Sequence, residues 1–137
     1  MTFEILEHTA DIGFRAFGAT EAELFQNAAA ALISISYRPE TVTERETRAI
    51  AAVGEDRESL MVNWLQELLW LIDGECWLPR RVEVQEITGG RIAATAYGEP
   101  RNSECHEFNV IVKAVTYHQL RVGRDAERWV AEVYLDI

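Results

Sequence analysis

"RVEVQEITGGRIAATAY" (residues 81–97) is two alternating apolar and polar segments joined by Gly89 and Gly90. A two-residue connection between strands needs positive φ at its centre, which glycine supplies without steric cost, so this stretch predicts an antiparallel hairpin. On its amino-terminal side, "SLMVNWLQELLWLID" repeats apolar residues at Leu60, Met61, Trp64, Leu65, Leu68, Leu69 and Ile72. That spacing is one face of a buried helix, with Asp56 placed as N-cap and Gly74 as the stop. "ETRAIAAV" (46–53) reads as a strand. Earlier still, Thr20 with Glu23 fits a capping box, and Leu24, Phe25, Ala28, Leu32 and Ile35 follow at helical spacing to an end near Tyr37 and Pro39.

The two ends of the chain complete the pattern. "FEILEHTADIGFRAFG" (3–18) predicts two short strands flanking a turn around Thr9 to Asp11. "EFNVIVKAVTYHQLRV" (107–122) and "RWVAEVYLDI" (128–137) are rich in β-branched and aromatic residues, and predict two long strands joined by the turn "GRDAE". About seven strands and two helices without regular βαβ alternation imply an α+β fold with a largely antiparallel sheet. At 137 residues the expectation is a single domain, 1–137, with no repeat or linker.

Composition narrows the function. Thirteen basic against 23 acidic residues give a net charge of −10. Tight binding to a nucleic-acid backbone requires clustered Lys and Arg, so the expected partners are proteins with basic surfaces, or cations. There is no apolar run of membrane-spanning length and no secretory signal pattern in "MTFEILEH", which predicts a cytoplasmic protein without membrane association. Cys76 and Cys105 lack zinc-type spacing and are expected as reduced thiols. Dinucleotide, P-loop, HExxH and GxSxG signatures are all missing, and no nucleophile stands out.

The candidate chemistry lies in carboxylates. Alternation along "RWVAEVYLDI" puts Trp129, Ala131, Val133, Leu135 and Ile137 on one face and Glu132, Tyr134 and Asp136 on the other. With the sequence ending at Ile137, its α-carboxylate lies one residue from Asp136. Like charges so close raise one pKa or recruit a cation, and hard oxygen donors suit Ca²⁺, Mg²⁺ or Mn²⁺. If the sheet brings Asp11 alongside, three oxygen ligands converge. The alternative is that Asp11 only bends a turn and Asp136 is a solvated acid. His8 is a secondary candidate as base or ligand, with a structural hydrogen bond as its other reading. Lys113 interrupts an apolar stretch, facing either solvent or a carboxylate. His118 is read as a structural hydrogen-bonder, and His106, in a polar loop, is expected to be solvent-exposed. The Trp and Leu stripe of the second helix is read as core.

Four motifs, "FEILEHTADIGFRAFGATEAELFQNAAAAL", "LMVNWLQELLWLID", "VKAVTYHQLRV" and "VYLDI", in this order and spacing, resemble the archease family. The resemblance implies a small acidic α+β protein that is not itself an enzyme but a cofactor protein of RtcB-type RNA-splicing ligases. Such a protein promotes guanylylation of the GTP-dependent ligase and its repeated turnover in tRNA splicing, meeting RNA only through the ligase. The family's metal-binding acids fall on Asp11 and Asp136, its terminal carboxylate on Ile137 and its motif lysine on Lys113, where it would offset charge or contact a triphosphate. The net charge of −10 would steer the protein toward a basic ligase surface. The loop 99–107, "EPRNSECHE", matches no family pattern. Two other functions remain open from the residues: a general chaperone or protein-modulating adaptor, and a stand-alone metal-dependent hydrolase.

Overall fold

A computed structural model describes residues 2–7 and 11–137 of the chain. His8 lies outside the described residues. In chain order the elements are β1 (Phe3–Glu7), β2 (Asp11–Gly18), α1 (Glu21–Ser36), β3 (Glu46–Val53), α2 (Arg57–Leu69), β4 (Trp77–Thr88), β5 (Arg91–Pro100), β6 (Ala114–Val115), β7 (Arg121–Asp125) and β8 (Arg128–Asp136). All pairings among them are antiparallel, and they fall into two sheets. One runs β1-β2-β8-β6 with β7 also against β8; the other runs β3-β5-β4. The α+β expectation therefore holds, with eight strands divided between two sheets.

Local chemistry explains the elements. Gly89 and Gly90 adopt φ of 58° and 74°, the left-handed values a two-residue hairpin turn requires. Thr20 Oγ1 accepts the Glu23 amide at 3.1 Å and so caps α1. A full reciprocal box starts α2: the Ser59 amide donates to Asp56 Oδ1 (2.7 Å) and the Asp56 amide to Ser59 Oγ (3.1 Å). A single π-helical turn, Trp70–Gly74, ends that helix.

The helices join the sheets. α1 packs against β2 and β4, while α2 packs against β3, β6 and β7. Phe14, Leu24, Leu32, Trp64, Leu65 and Val133 thus belong to one continuous core, in which the Trp and Leu stripe of α2 is buried as expected. Trp64 also fastens the helices together, because its Nε1–H donates to the Phe25 carbonyl at 2.9 Å. No helix among the described residues is long and apolar enough to cross a membrane.

Two expectations need correction. The stretch 107–122 is not one long strand. β6 and β7 share one edge of β8, but six residue steps from Val115 to Arg121 oppose only three from Leu135 to Glu132, so three extra residues are extruded. The extrusion is held by the Thr116 amide on the Tyr134 carbonyl (3.1 Å) and by Gln119 at φ 51°. Periodicity could not reveal this, because the intervening "TYHQL" (116–120), three residues longer than the stretch it faces, has the same β-forming composition as its flanks.

His106 is likewise not solvent-exposed: only 3% of its surface is accessible. The Asn102 amide donates to His106 Nδ1 (2.8 Å), which leaves the ring proton on Nε2 to bond Glu99 Oε2 (3.0 Å). Glu99 also accepts the Thr43 amide (2.7 Å) and pairs with Arg45 (3.2 Å). A buried polar cluster, invisible to a composition-based reading of a polar loop, anchors residues 99–107. Cys76 and Cys105 are free and exposed, consistent with reduced thiols.

Two outcomes follow from this packing. Trp64→Phe removes the buried indole bond that ties α2 to the Phe25 carbonyl of α1, together with part of a fully buried ring, and should cost about 2 kcal/mol in denaturant unfolding. The Thr43 amide, then His106 and Arg45, hold the Glu99 carboxyl below its ordinary value of 4.5. A depressed carboxylate stabilises the fold above its unfolded pKa, and that contribution is lost as pH falls through the folded value. Stability measured from pH 6 downward should therefore fall more steeply below 4.5 for the parent protein than for Glu99→Gln.

Candidate functional site

Asp11 is the first residue of β2 and Asp136 the last of β8, and the register places them directly opposite one another. Opposed residues of an antiparallel pair project from the same face with Cβ atoms about 4.5–5.5 Å apart. Two carboxylates thus share one end of the central strand pair. On the other side of β8, Ala114 lies opposite Asp136, and the Lys113 amide donates to the Asp136 carbonyl at 2.8 Å. Lys113 is the sole lysine in the sequence, and its side chain is exposed. Of the expected site residues, the fold brings together Asp11, Asp136 and the Lys113 backbone, next to the final residue Ile137.

The same face continues as a polar ladder. Two residues inward, Tyr134 lies opposite Gly13. Its ring occupies the space where a side chain at residue 13 would project, since a Cβ there would approach Tyr134 Cε1 to 2.6 Å. The ring of His118, from the extruded segment, packs edge-on against Tyr134 with centroids 6.0 Å apart. Tyr134 donates its hydroxyl proton to Glu132 Oε1 (3.0 Å), and Arg15 bridges Glu132 and Glu4. Burial first, then the bond to Glu132 and the negative charges of Glu132 and Asp11, push the Tyr134 phenol up, with Arg15 opposing. The sequence reading missed this ladder, although the alternation of Glu132, Tyr134 and Asp136 along β8 carried half of it; what was missing was the register across β2.

The donor set suits a hard cation. Opposed carboxylates repel each other, and a cation bound between them removes that penalty. Among the described residues no group of three or more His, Cys, Asp and Glu side chains could hold a metal ion. Two side-chain carboxylates form an incomplete shell, in keeping with an oxygen site that leaves positions for a main-chain carboxylate, water or phosphate. The remaining cations of the surface are largely engaged elsewhere: Arg45, Arg48, Arg57 and Arg81 pair with acids, and Arg101 and Arg128 lie over aromatic rings.

Comparison with known proteins identifies the family and the fold. The family described as Archease protein family (MTH1598/TM1083) matches residues 3–137. An archease of Methanosarcina acetivorans is 41% identical, covering 98% of this chain and 95% of that one. One from Pyrococcus abyssi is 40% identical, with 98% of each chain covered. The solution structure of a Methanobacterium thermoautotrophicum protein superposes with a TM-score of 0.83 at 33% identity, over 98% of each chain. A Thermotoga maritima archease, described as a possible chaperone, shares the fold with a TM-score of 0.69 at 23% identity, over 96% of this chain and 94% of that one. With a family match across nearly all its length and relatives this similar, the chain belongs to the archease family.

Proposed function

We propose that this protein activates an RtcB-type RNA-splicing ligase, promoting its guanylylation and repeated turnover, by presenting a divalent cation held by Asp11, Asp136 and the carboxyl group of Ile137. The observation that carries this reading is the cross-strand pairing of Asp11 with Asp136 at an exposed sheet end, in a chain of this family. When bound, Ca²⁺, Mg²⁺ or Mn²⁺ supplies positive charge for phosphate oxygens of the ligase's nucleotide.

The protein's own residues do the positioning. β2 and β8 place the two acidic residues opposite one another at the end of an eight-pair ladder. The Lys113 backbone bonds to Asp136, and its exposed ammonium group is the proposed partner for a phosphate, or the charge that balances the acids, as the complex forms. The acidic surface steers the protein toward a basic ligase, and RNA is met only through that partner in the cytoplasm. Bond formation stays with the ligase.

The printed description of the Thermotoga relative favours a second reading, a general chaperone or adaptor. The two separate in one experiment: multiple-turnover ligation by the ligase of the same organism, with the parent protein, Asp11→Asn or Asp136→Asn. Cation-site loss should reduce stimulation on the order of tenfold or more, since even groups one shell outside a metal cost 10–100-fold. Stimulation untouched by both substitutions would favour the adaptor, as would full stimulation by protein extended by one residue beyond Ile137.

Thermal stability gives an independent outcome. At a hundredfold excess of Ca²⁺ over its dissociation constant, the parent protein should melt about 5–10 °C higher than in chelator. Asp136→Asn should lose that rise, and in chelator should be no less stable than the parent because the repulsion is gone.

A further inference from the structure

The β3-β5-β4 sheet has two edges of different character. β4 carries register irregularities at Pro79/Arg81 and Val84/Glu86 and exposes Arg80, Arg81 and Glu83, the usual means of discouraging strand addition. β3 has no register irregularity, and its charges are confined to Glu46 and Arg48 near its start. It pairs with β5 through eight consecutive residues without a bulge, contains no proline, and exposes the uncharged Thr47, Ala49, Ala51 and Val53.

The direction of its backbone groups is fixed by one bond. The Gly54 amide donates to the Gly90 carbonyl at 2.9 Å, so by strand alternation residues 52, 50 and 48 point to β5, and 53, 51, 49 and 47 point outward. The outward Val53 carbonyl accepts from Asn63 Nδ2 of α2 at 2.7 Å, as this assignment requires. No other hydrogen bond to the outward set is found among the described residues. A ladder of backbone donors and acceptors is therefore open to an extended chain.

The wall beside the edge has its own chemistry. Asn63, Gln66 and Glu67 of α2, with Trp70 of the π-helical turn that follows it, form an exposed stripe, and the first three line a hollow with Ala51, Ala52 and Val53. Trp70, one turn further along, is 63% exposed, its ring lying against Gly74. At the other end a second hollow of about 830 Å³ shares Val53 and Asn63 and adds Tyr117, Glu55 and Glu58. No Lys or Arg lines either hollow. Glu55, Glu58 and Glu67 have no ion pair among the described residues; Arg57 pairs with Glu21 and Arg48 with Glu75, while Arg91 lies opposite Val53 on the β5 side of the edge.

We infer that the free edge of β3, with the exposed stripe of α2 and Tyr117, is a docking site for an extended basic segment of a partner protein, which adds as a fourth strand to the β3-β5-β4 sheet. Backbone pairing supplies the extended conformation, Trp70, Val53 and Tyr117 supply apolar contact, and Glu55, Glu58 and Glu67 select lysine and arginine. A second copy of this chain is disfavoured as occupant because it brings another net charge of −10. This surface shares no residue with the Asp11 and Asp136 pair, and the proposal does not depend on a cation there.

The test uses a fluorescein-labelled eight-residue peptide of alternating lysine and valine. Its binding is followed by anisotropy, and backbone protection by hydrogen exchange. Bound peptide should protect the amides of Thr47, Ala49, Ala51 and Val53. Ala49→Pro removes an outward amide without touching the β5 ladder, and should weaken binding at least tenfold while leaving the β5 amides protected. The same peptide N-methylated at every amide keeps its charge and should not bind, a control that requires no altered protein. Glu58→Lys with Glu67→Lys should also weaken binding. Equal binding of the methylated peptide, protection confined to other elements, or no binding at millimolar peptide would overturn the proposal. Concentration-dependent protection of β3 without peptide, with a dimer in sedimentation, would assign the edge to self-association instead.

Discussion

The pairing of β2 with β8 is the constraint on which the rest depends. Eight consecutive residue pairs, from Asp11 with Asp136 to Gly18 with Trp129, join the beginning of the chain to its end. One face of this pair delivers Phe14, Ala16, Ala131, Val133 and Leu135 to the core, all at 0% exposure. A slip of one residue would turn these to solvent, so burial fixes the register. The register in turn sets Asp11 against Asp136. The repulsion between two carboxylates is thus imposed by the hydrophobic core at a place where the core itself gains nothing from it, which is the physical reason for reading the pair as a site.

The distribution of positive charge supports the same reading. Twelve arginines and one lysine make up the basic residues, and many of the arginines serve the protein's own structure by pairing with acids or covering rings. The lysine stands apart, with its backbone tied to Asp136 and its side chain in solvent. An ammonium group is a compact point charge suited to phosphate, whereas many of the guanidinium groups are committed to planar pairs and stacked contacts.

Much of the fold was legible because it is written in local chemistry. Diglycine 89–90, the Asp56 cap and the strand 46–53 are each decided by a few adjacent residues, and each stands where the sequence places it. What escaped depends on distant partners. The division into two sheets, the three-residue extrusion after Val115 and the burial of His106 arise from pairing with β8 and from Glu99 and Asn102, which no periodicity in those segments encodes. The candidate site divides the same way: Asp11 and Asp136 could be nominated by type and position, but their opposition needed the register, and the Glu4, Arg15, Glu132 and Tyr134 ladder needed both strands at once. His8 lies outside the described residues.

The central claim is that the Asp11 and Asp136 pair, rather than the acidic surface at large, gathers a divalent cation. Substoichiometric Mn²⁺ added to ¹⁵N-labelled protein tests it most directly, because a paramagnetic ion broadens the amide signals nearest to it. The account predicts that the signals of Ile12, Gly13, Lys113 and Leu135 disappear first while those of Glu55, Glu58 and Glu67 remain sharp. Broadening that begins at the acids of α2, or that spreads evenly over the surface, would contradict it.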